Sequence, residues 1–231
     1  SGEISIRHEI AALLECGTGS DALIYARAVQ RWGDDADLRL IGNFSTILYD
    51  GERRMVRLAR SPLGAPPIHF WRDDRQFVAA TTPRALFATG EVPRELDEQK
   101  IADSLFLNYH EGERSWFEGV SRLGVGMRAL VTPSGVSIST YYSLDDLPAV
   151  RFKKDSDYVE AADALFAEAV RVALGGAQRP AISLSGGLDS QAVAAYVMAE
   201  RPGQPLLGLT SVPESGWDGV SRSKRFGDER A

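Results

Sequence analysis

The sequence holds a single cysteine, Cys16, among 231 residues. No intrachain disulfide and no cysteine-rich zinc site is available to it, and one free thiol fits a reducing compartment, so a cytoplasmic location is expected. Histidine is scarce as well. His8, His69 and His110 are scattered, with no i, i+4 pair and no clustered acids, which leaves metal-site and catalytic-triad readings without support. A basic excess is absent: 26 Lys and Arg against 32 Asp and Glu give a net charge of −6 with no basic block, so nucleic acid is not an expected partner. No run approaches the roughly 18 apolar residues of a membrane-spanning helix, and the first residues have neither a basic flank nor a hydrophobic signal core. Internal repeats and low-complexity tracts are also missing. With 44% hydrophobic residues the chain can bury a core, and its length corresponds to about one and a half domains of roughly 150 residues.

Hydrophobic periodicity changes character once, near residues 148 to 155, which predicts two domains, 1–148 and 155–231. Upstream, short β-rich runs alternate with turn residues. Phe44 to Tyr49, the turn pair Asp50-Gly51 and Met55 to Ala59 predict a hairpin. Ile68 to Trp71 and Phe77 to Ala80 flank a polar turn, and Arg128 to Val131 pairs with Val136 to Tyr141 across Pro133-Ser134-Gly135. Helices are predicted around Ile10, Leu13 and Leu14, around Leu23, Ala26 and Val29, and over Pro93 to Phe106. This half reads as α+β. Downstream, Asp157 to Leu174 carries an apolar stripe of Val159, Ala162, Leu165, Phe166, Ala169 and Val170. Pro180 to Leu184, a glycine loop, Gln191 to Glu200 and Leu206 to Thr210 then follow as strand, loop, helix and strand. That is a βαβ unit with its loop at the carboxyl edge of a parallel sheet, where ligands bind.

Ser185-Gly186-Gly187-Leu188-Asp189-Ser190 is the most informative string. Consecutive glycines let backbone amides approach a ligand, and the helix that follows presents unpaired N–H groups at its positive end, so an anion belongs there. Asp189 would repel a bare phosphate and suits Mg²⁺ bridging a polyphosphate. The loop has neither the Lys of a Walker loop nor the G-x-G-x-x-G of a dinucleotide fingerprint.

At these residues the sequence resembles a family. Ser183 to Ser190 looks like the pyrophosphate loop of ATP-pyrophosphatases, with asparagine synthetases the best fit. The resemblance implies an α/β ATP-pyrophosphatase domain (adenine nucleotide α-hydrolase-like), of which 155–231 is the beginning. It implies ATP and Mg²⁺ as cofactors, Ser185, Gly186, Gly187, Asp189 and Ser190 on pyrophosphate and its metal, and Leu184 and Val212 framing the adenine. Asp228-Glu229 looks like the family's later acidic pair. Upstream, Trp32-Gly33, Leu40 to Ser45, Arg60 to Gly64 and Ala80 to Leu86 resemble successive landmarks of the amino-terminal glutamine amidotransferase domain, which implies an Ntn-hydrolase-like αββα layering. Gly2, Glu3 and Asp21 fall where that domain contacts glutamine, with Gly2 contributing to an oxyanion hole.

The implied activity is ATP-dependent amide formation through an acyl-adenylate: aspartate, glutamine and ATP give asparagine, glutamate, AMP and pyrophosphate. The implied partners are small molecules, glutamine with aspartate or a peptide carboxylate, and a homodimer is compatible with it. The match departs at the family's amino-terminal nucleophilic cysteine. Cys16 has no adjacent His and reads as a small packed hydrophobe, and Ser1 stands where the family has the Asn before Gly-Glu. The catalytic nucleophile is therefore not assigned, and the chain is expected to be a piece of a longer protein whose residues beyond about 176 are weakly ordered alone. Ser61, where the family usually has Asp, and the turn at Ser211-Val212-Pro213 keep open a lasso-peptide or β-lactam-type cyclase with a silent first domain. A non-catalytic binding module is the alternative of another class.

Overall fold

The computed structural model describes residues 2–17, 19–63, 65–108, 112–175, 177–212 and 216. The chain divides into two compact units, 1–148 and 149–231.

The first unit is built on two antiparallel sheets. Strands β1 (Gly2–Ile4), β2 (Gly42–Asp50), β3 (Met55–Arg60), β7 (Met127–Thr132) and β8 (Gly135–Thr140) form a five-stranded sheet in the order β1-β2-β3-β7-β8. Strands β4 (Ile68–Arg72), β5 (Phe77–Ala80) and β6 (Ser121–Leu123) form a second sheet in the order β5-β4-β6. All three expected hairpins are present. The β2–β3 connection is longer than a two-residue turn: Asp50 Oδ1 accepts from the amides of Glu52 and Arg53, and Arg54 takes up a left-handed φ of 50°. Asp73 organises the β4–β5 turn in the same way through the amides of Arg75 and Gln76.

Alternation along the central strands sets the layers, because successive side chains point to opposite faces. Leu58 of β3 and Ala129 of β7 meet Ile68, Phe70 and Leu123 of the smaller sheet, so the two sheets pack face to face. Ala59 and Phe44 point the other way, against Ile10 and Ala11 of α1 (Arg7–Leu13) and Ile24, Tyr25 and Ala28 of α2 (Asp21–Trp32). On the far side, Leu86 and Phe87 of α4 (Pro83–Phe87) pack with Val92, Val120 and Trp71 against the smaller sheet. The order is helix, sheet, sheet, helix. The short α3 (Ala36–Arg39) follows α2, and α5 (Glu98–Leu105) is shorter than the span Pro93 to Phe106, starting where Asp97 caps it by accepting from the Lys100 amide. One expectation is corrected in part: α2 buries Ile24, Tyr25 and Ala28, and of the stripe of Leu23, Ala26 and Val29 only Val29 packs, half-buried, against that core, while Leu23 is exposed. Leu23 lies outside because it covers the Gly19 turn, where a Cβ would meet its Cδ2 at 2.7 Å.

The second unit starts with α6 (Asp155–Leu174), which stops at Gly175 with a φ of +41°. Strand β9 (Ala181–Ser183), helix α7 (Leu188–Glu200) and strand β10 (Leu207–Leu209) follow, and β9 and β10 pair in parallel, so the expected βαβ unit is present. Its core is Val170, Leu174 and Val197. The stripe expected on α6 is buried only at Val170, while Val159 and Leu165 remain 68% and 71% exposed. The physical reason is length: at 1.5 Å per residue, the 13-residue α7 cannot cover a 20-residue α6. Among the described residues no helix is long and apolar enough to cross a membrane. His110, Asp228-Glu229 and the rest of Arg222 to Arg230 lie outside the described residues.

Candidate functional site

The three residues expected to contact glutamine come together. Gly2, Glu3 and Asp21 line one cavity of about 370 Å³ in the first unit, together with Tyr25, Ser45 and Thr46. Strand β1 forms one rim, paired antiparallel with β2 through glycines that leave no room for a side chain. Gly2 sits at a φ of +106°, and a Cβ there would stand 2.0 Å from the Asn43 carbonyl oxygen. Across the same pair, a Cβ on Gly42 would stand 2.3 Å from the Glu3 carbonyl oxygen. Only glycine fits at either position.

Asp21 ties the rim to α2. Ser20 caps that helix by accepting from the Leu23 amide, which leaves Asp21 in the first turn with its carboxylate toward β1. Its Oδ2 accepts from the Ile4 amide at 3.2 Å. Its Oδ1 is shielded from solvent without a hydrogen bond and faces Arg7 Nε at 3.4 Å, an ion pair that lacks hydrogen-bond geometry. Arg7 also donates to the Gly19 carbonyl at 2.7 Å, so one side chain of α1 holds both the turn and the carboxylate. The carboxylate retains acceptor capacity beside the cavity, as a ligand ammonium or amide requires. Cys16 lies half-buried against the α1–α2 core with its Sγ 3.8 Å from the Ala11 carbonyl oxygen, consistent with a packing role.

Below the cavity is a buried polar cluster that sequence reasoning missed. Tyr25 donates from its hydroxyl to Asp37 Oδ1 at 2.8 Å and accepts from Arg57 Nη1 at 2.7 Å, while Arg57 Nη2 meets Asp37 Oδ2 at 2.6 Å. The Asp37 side chain is fully buried and that of Arg57 is 3% exposed. Arg128 adds an ion pair to Asp34 at 3.1 Å. Burial, then the charge of Asp37, pushes the Tyr25 phenol far above its ordinary value against the opposing charge of Arg57. The available signal was positional: Arg57 shares a face with Ala59, so an inward-facing charge on β3 demanded a buried partner.

Ser61, the departure from the family's Asp, is fully buried; its hydroxyl accepts from the Phe44 amide and its amide donates to the Phe44 carbonyl. It anchors the cavity's second strand. Ser45, on the same strand, donates to the Pro66 carbonyl.

The glycine loop is a separate feature of the second unit. Ser190 Oγ accepts from the Ser185 amide at 3.1 Å, lies 3.1 Å from Ser185 Oγ, and Ser185 Oγ accepts from the Gly187 amide at 3.3 Å. Helix α7 begins directly after Gly187 with no side-chain cap, which leaves its first amides for another acceptor. Gly186, Gly187 and Asp189 are exposed, and Leu184 is held by its amide on the Leu209 carbonyl at 2.7 Å. Val212 is 53% exposed beyond β10. Among the described residues no group of three or more His, Cys, Asp or Glu is placed to hold a metal ion. Asp189 would therefore hold Mg²⁺ only together with phosphate oxygens and water, which is the ordinary coordination of that ion.

Four layers around a glycine-rimmed cavity with a partly satisfied carboxylate define a mixed α/β domain suited to a small polar ligand. Residues 3–142 match the model of a family described as the glutamine amidotransferase domain. That is more than half of the chain, and the chain belongs to this family. Among curated proteins it is similar to asparagine synthetase [glutamine-hydrolyzing] 2 of Bacillus subtilis, at 25% identity over 229 residues, covering 93% of this chain and 30% of the relative. It is similar to the putative asparagine synthetase [glutamine-hydrolyzing] 2 of Methanocaldococcus jannaschii at 24% identity, covering 78% of this chain and 35% of that one. Amidase chry2 of Gibberella zeae is 25% identical over 77% of this chain and 26% of its own length. The chain thus spans about a third of the length of these relatives. A solved glutamine phosphoribosylpyrophosphate amidotransferase from B. subtilis covers 96% of this chain and 48% of its own at 16% identity, with a TM-score of 0.42, a likeness too weak to carry an argument.

Proposed function

We propose that the first unit binds glutamine in the cavity of Gly2, Glu3 and Asp21 as the glutamine-handling part of an ATP-dependent amide ligase of the asparagine synthetase type. The observation that carries this reading is the convergence of the three residues on one cavity, with Asp21 braced by the Ile4 amide and Arg7. Asp21 would receive the ligand's ammonium group, and Glu3 would stand at the open rim as a second acceptor. The Gly2 backbone would lie against the carboxamide and supply the oxyanion contact, since the absence of a Cβ lets a ligand approach the main chain.

In the second unit, the uncapped first turn of α7 and the amide of Gly186 fit a pyrophosphate group, with Ser185 and Ser190 as hydroxyl donors and Asp189 turned to a bridging Mg²⁺. Leu184 and Val212 would border the base. ATP bound there would supply the adenylyl group that activates a carboxylate, that of aspartate in the synthetase reading.

Isothermal titration tests both halves. L-glutamine is expected to saturate the chain at one site, and Asp21→Ala to abolish binding with only a modest fall in thermal midpoint, since the Ile4 amide loses its acceptor. Pyrophosphate with Mg²⁺ is expected to bind the chain and to lose affinity in Asp189→Ala. Glutamine binding that survives Asp21→Ala would contradict the first assignment, and pyrophosphate binding that survives Asp189→Ala would contradict the second.

A further inference from the structure

The cluster of Tyr25, Asp37 and Arg57 has a feature that packing alone does not explain. Its three side chains meet between the helix layer, which supplies Tyr25 and Asp37, and strand β3, which supplies Arg57, beside the core of Phe44 and Ala59, where apolar residues would serve. An ion pair at 0% and 3% exposure must overcome a large desolvation cost, and such pairs are often no more stabilising than hydrophobic replacements of similar size. What the pair does provide is position. Arg57 grips Asp37 through two nitrogens, at 3.2 and 2.6 Å, and both partners hold the Tyr25 hydroxyl, at 2.7 and 2.8 Å. The phenol's donor and an acceptor site are thereby used within the protein, and the ring is fixed at its far end. That same residue lines the cavity beside Asp21 and Thr46. On its flank the ring meets Phe44 at a centroid distance of 5.9 Å.

We propose that Tyr25, one helical turn from Asp21 on α2, is the specificity-determining wall of the cavity, limiting it to a ligand with an unsubstituted ammonium group, and that Asp37 and Arg57 are positioning residues that act through its anchored ring. This rests on the reading of the cavity as a glutamine site. A ring pinned by two hydrogen bonds and an aromatic neighbour cannot swing aside to admit an alkyl group on the ammonium nitrogen. Without the anchors the same ring can move, and the wall becomes soft.

The test separates position from stability. Removing Arg57 and Asp37 together, as Arg57→Met with Asp37→Leu, leaves no unpaired buried charge, since Arg128 keeps Asp34 at 3.1 Å and the Asp34 carbonyl at 2.9 Å. The double variant is therefore expected to unfold in urea close to the wild-type midpoint, well above either single variant. Its binding is expected to change all the same. By titration, wild type should bind L-glutamine and exclude Nα-ethyl-L-glutamine. The double variant should bind glutamine roughly tenfold more weakly and bind the two ligands within about threefold of each other, shifts well resolved by titration. Tyr25→Phe, which keeps the ring and loses both anchors, should show the same loss of discrimination. Wild-type discrimination retained in both variants would overturn the proposal while leaving the glutamine site standing. If L-glutamine does not bind wild type, the site reading fails and this inference fails with it.

Discussion

Replacing Arg57 alone by Met should be among the most damaging single substitutions in the first unit. The Asp37 carboxylate, fully buried, would lose its bidentate partner and keep only the Tyr25 hydroxyl at 2.8 Å and the more distant Arg128 at 3.6 Å. Leaving one member of a buried pair uncompensated costs about 3–5 kcal/mol, and the remaining Tyr25 and Arg128 contacts place the expected loss near the lower end, about 3 kcal/mol. For a domain of this size that corresponds to a fall in thermal midpoint of roughly 6–12 °C. Urea unfolding followed by tryptophan fluorescence gives the value directly, as a shifted midpoint with unchanged slope. Adding Asp37→Leu to Arg57→Met should recover most of the loss, to within about 1 kcal/mol of wild type, so the double-mutant cycle yields a large coupling energy. A single variant within about 0.5 kcal/mol of wild type, or a double variant no better than the single, would refute the view that these charges are mutually dependent in the core.

Other expectations follow from the same geometry. Gly2→Ala should detach β1 from β2 and abolish glutamine binding, because the Cβ would stand 2.0 Å from the Asn43 carbonyl oxygen at a φ of +106°; retention of wild-type affinity would show that the β1 rim is not as close as described. His69 is buried with its Nδ1 unpartnered, and burial holds its pKa below the ordinary value, reinforced by the charges of Arg122 and Arg60 against a hydrogen bond with the Thr81 backbone. The unfolded chain therefore binds a proton at this residue more readily. Stability should be complete above about pH 6.5 and fall as pH drops toward 5, and His69→Leu should flatten that slope in denaturation series. Arg7→Met should weaken glutamine binding measured by titration while leaving the core intact, since Arg7 is partly exposed and serves the Gly19 turn and Asp21.

Much of the architecture was legible because local chemistry and tertiary context agree. Asp50 and Asp73 mark their turns, and the alternating runs around them became β2 to β5. Three-residue strands such as β1 and β6 carry too short a period to announce themselves, and they form because a neighbouring strand receives them. Strand β3 misleads in another way. Met55 to Ala59 was legible as one arm of a hairpin, but it was not legible that the strand lies between a helix layer and a second sheet, so that both faces are buried and Arg57 turns inward. Helix α2 was found at its correct place, with a stripe that meets the core at Val29 and leaves Leu23 outside over the Gly19 turn. Family resemblance singled out Gly2, Glu3 and Asp21, which the fold brings to one cavity. Tyr25, Ser45 and Thr46 were not singled out, as their role depends on which side of a strand or helix faces the cavity.

The measurement that bears most directly on the account is residue-resolved mapping of glutamine by NMR. With ¹⁵N-labelled chain, L-glutamine should produce saturable amide shifts at Gly2, Glu3, Ile4, Asp21, Ala22, Ser45 and Thr46, the residues that surround one cavity. The amides of Ser185 to Ser190 should stay in place. Saturable shifts centred elsewhere, or none at all, would contradict the assignment of this cavity to glutamine.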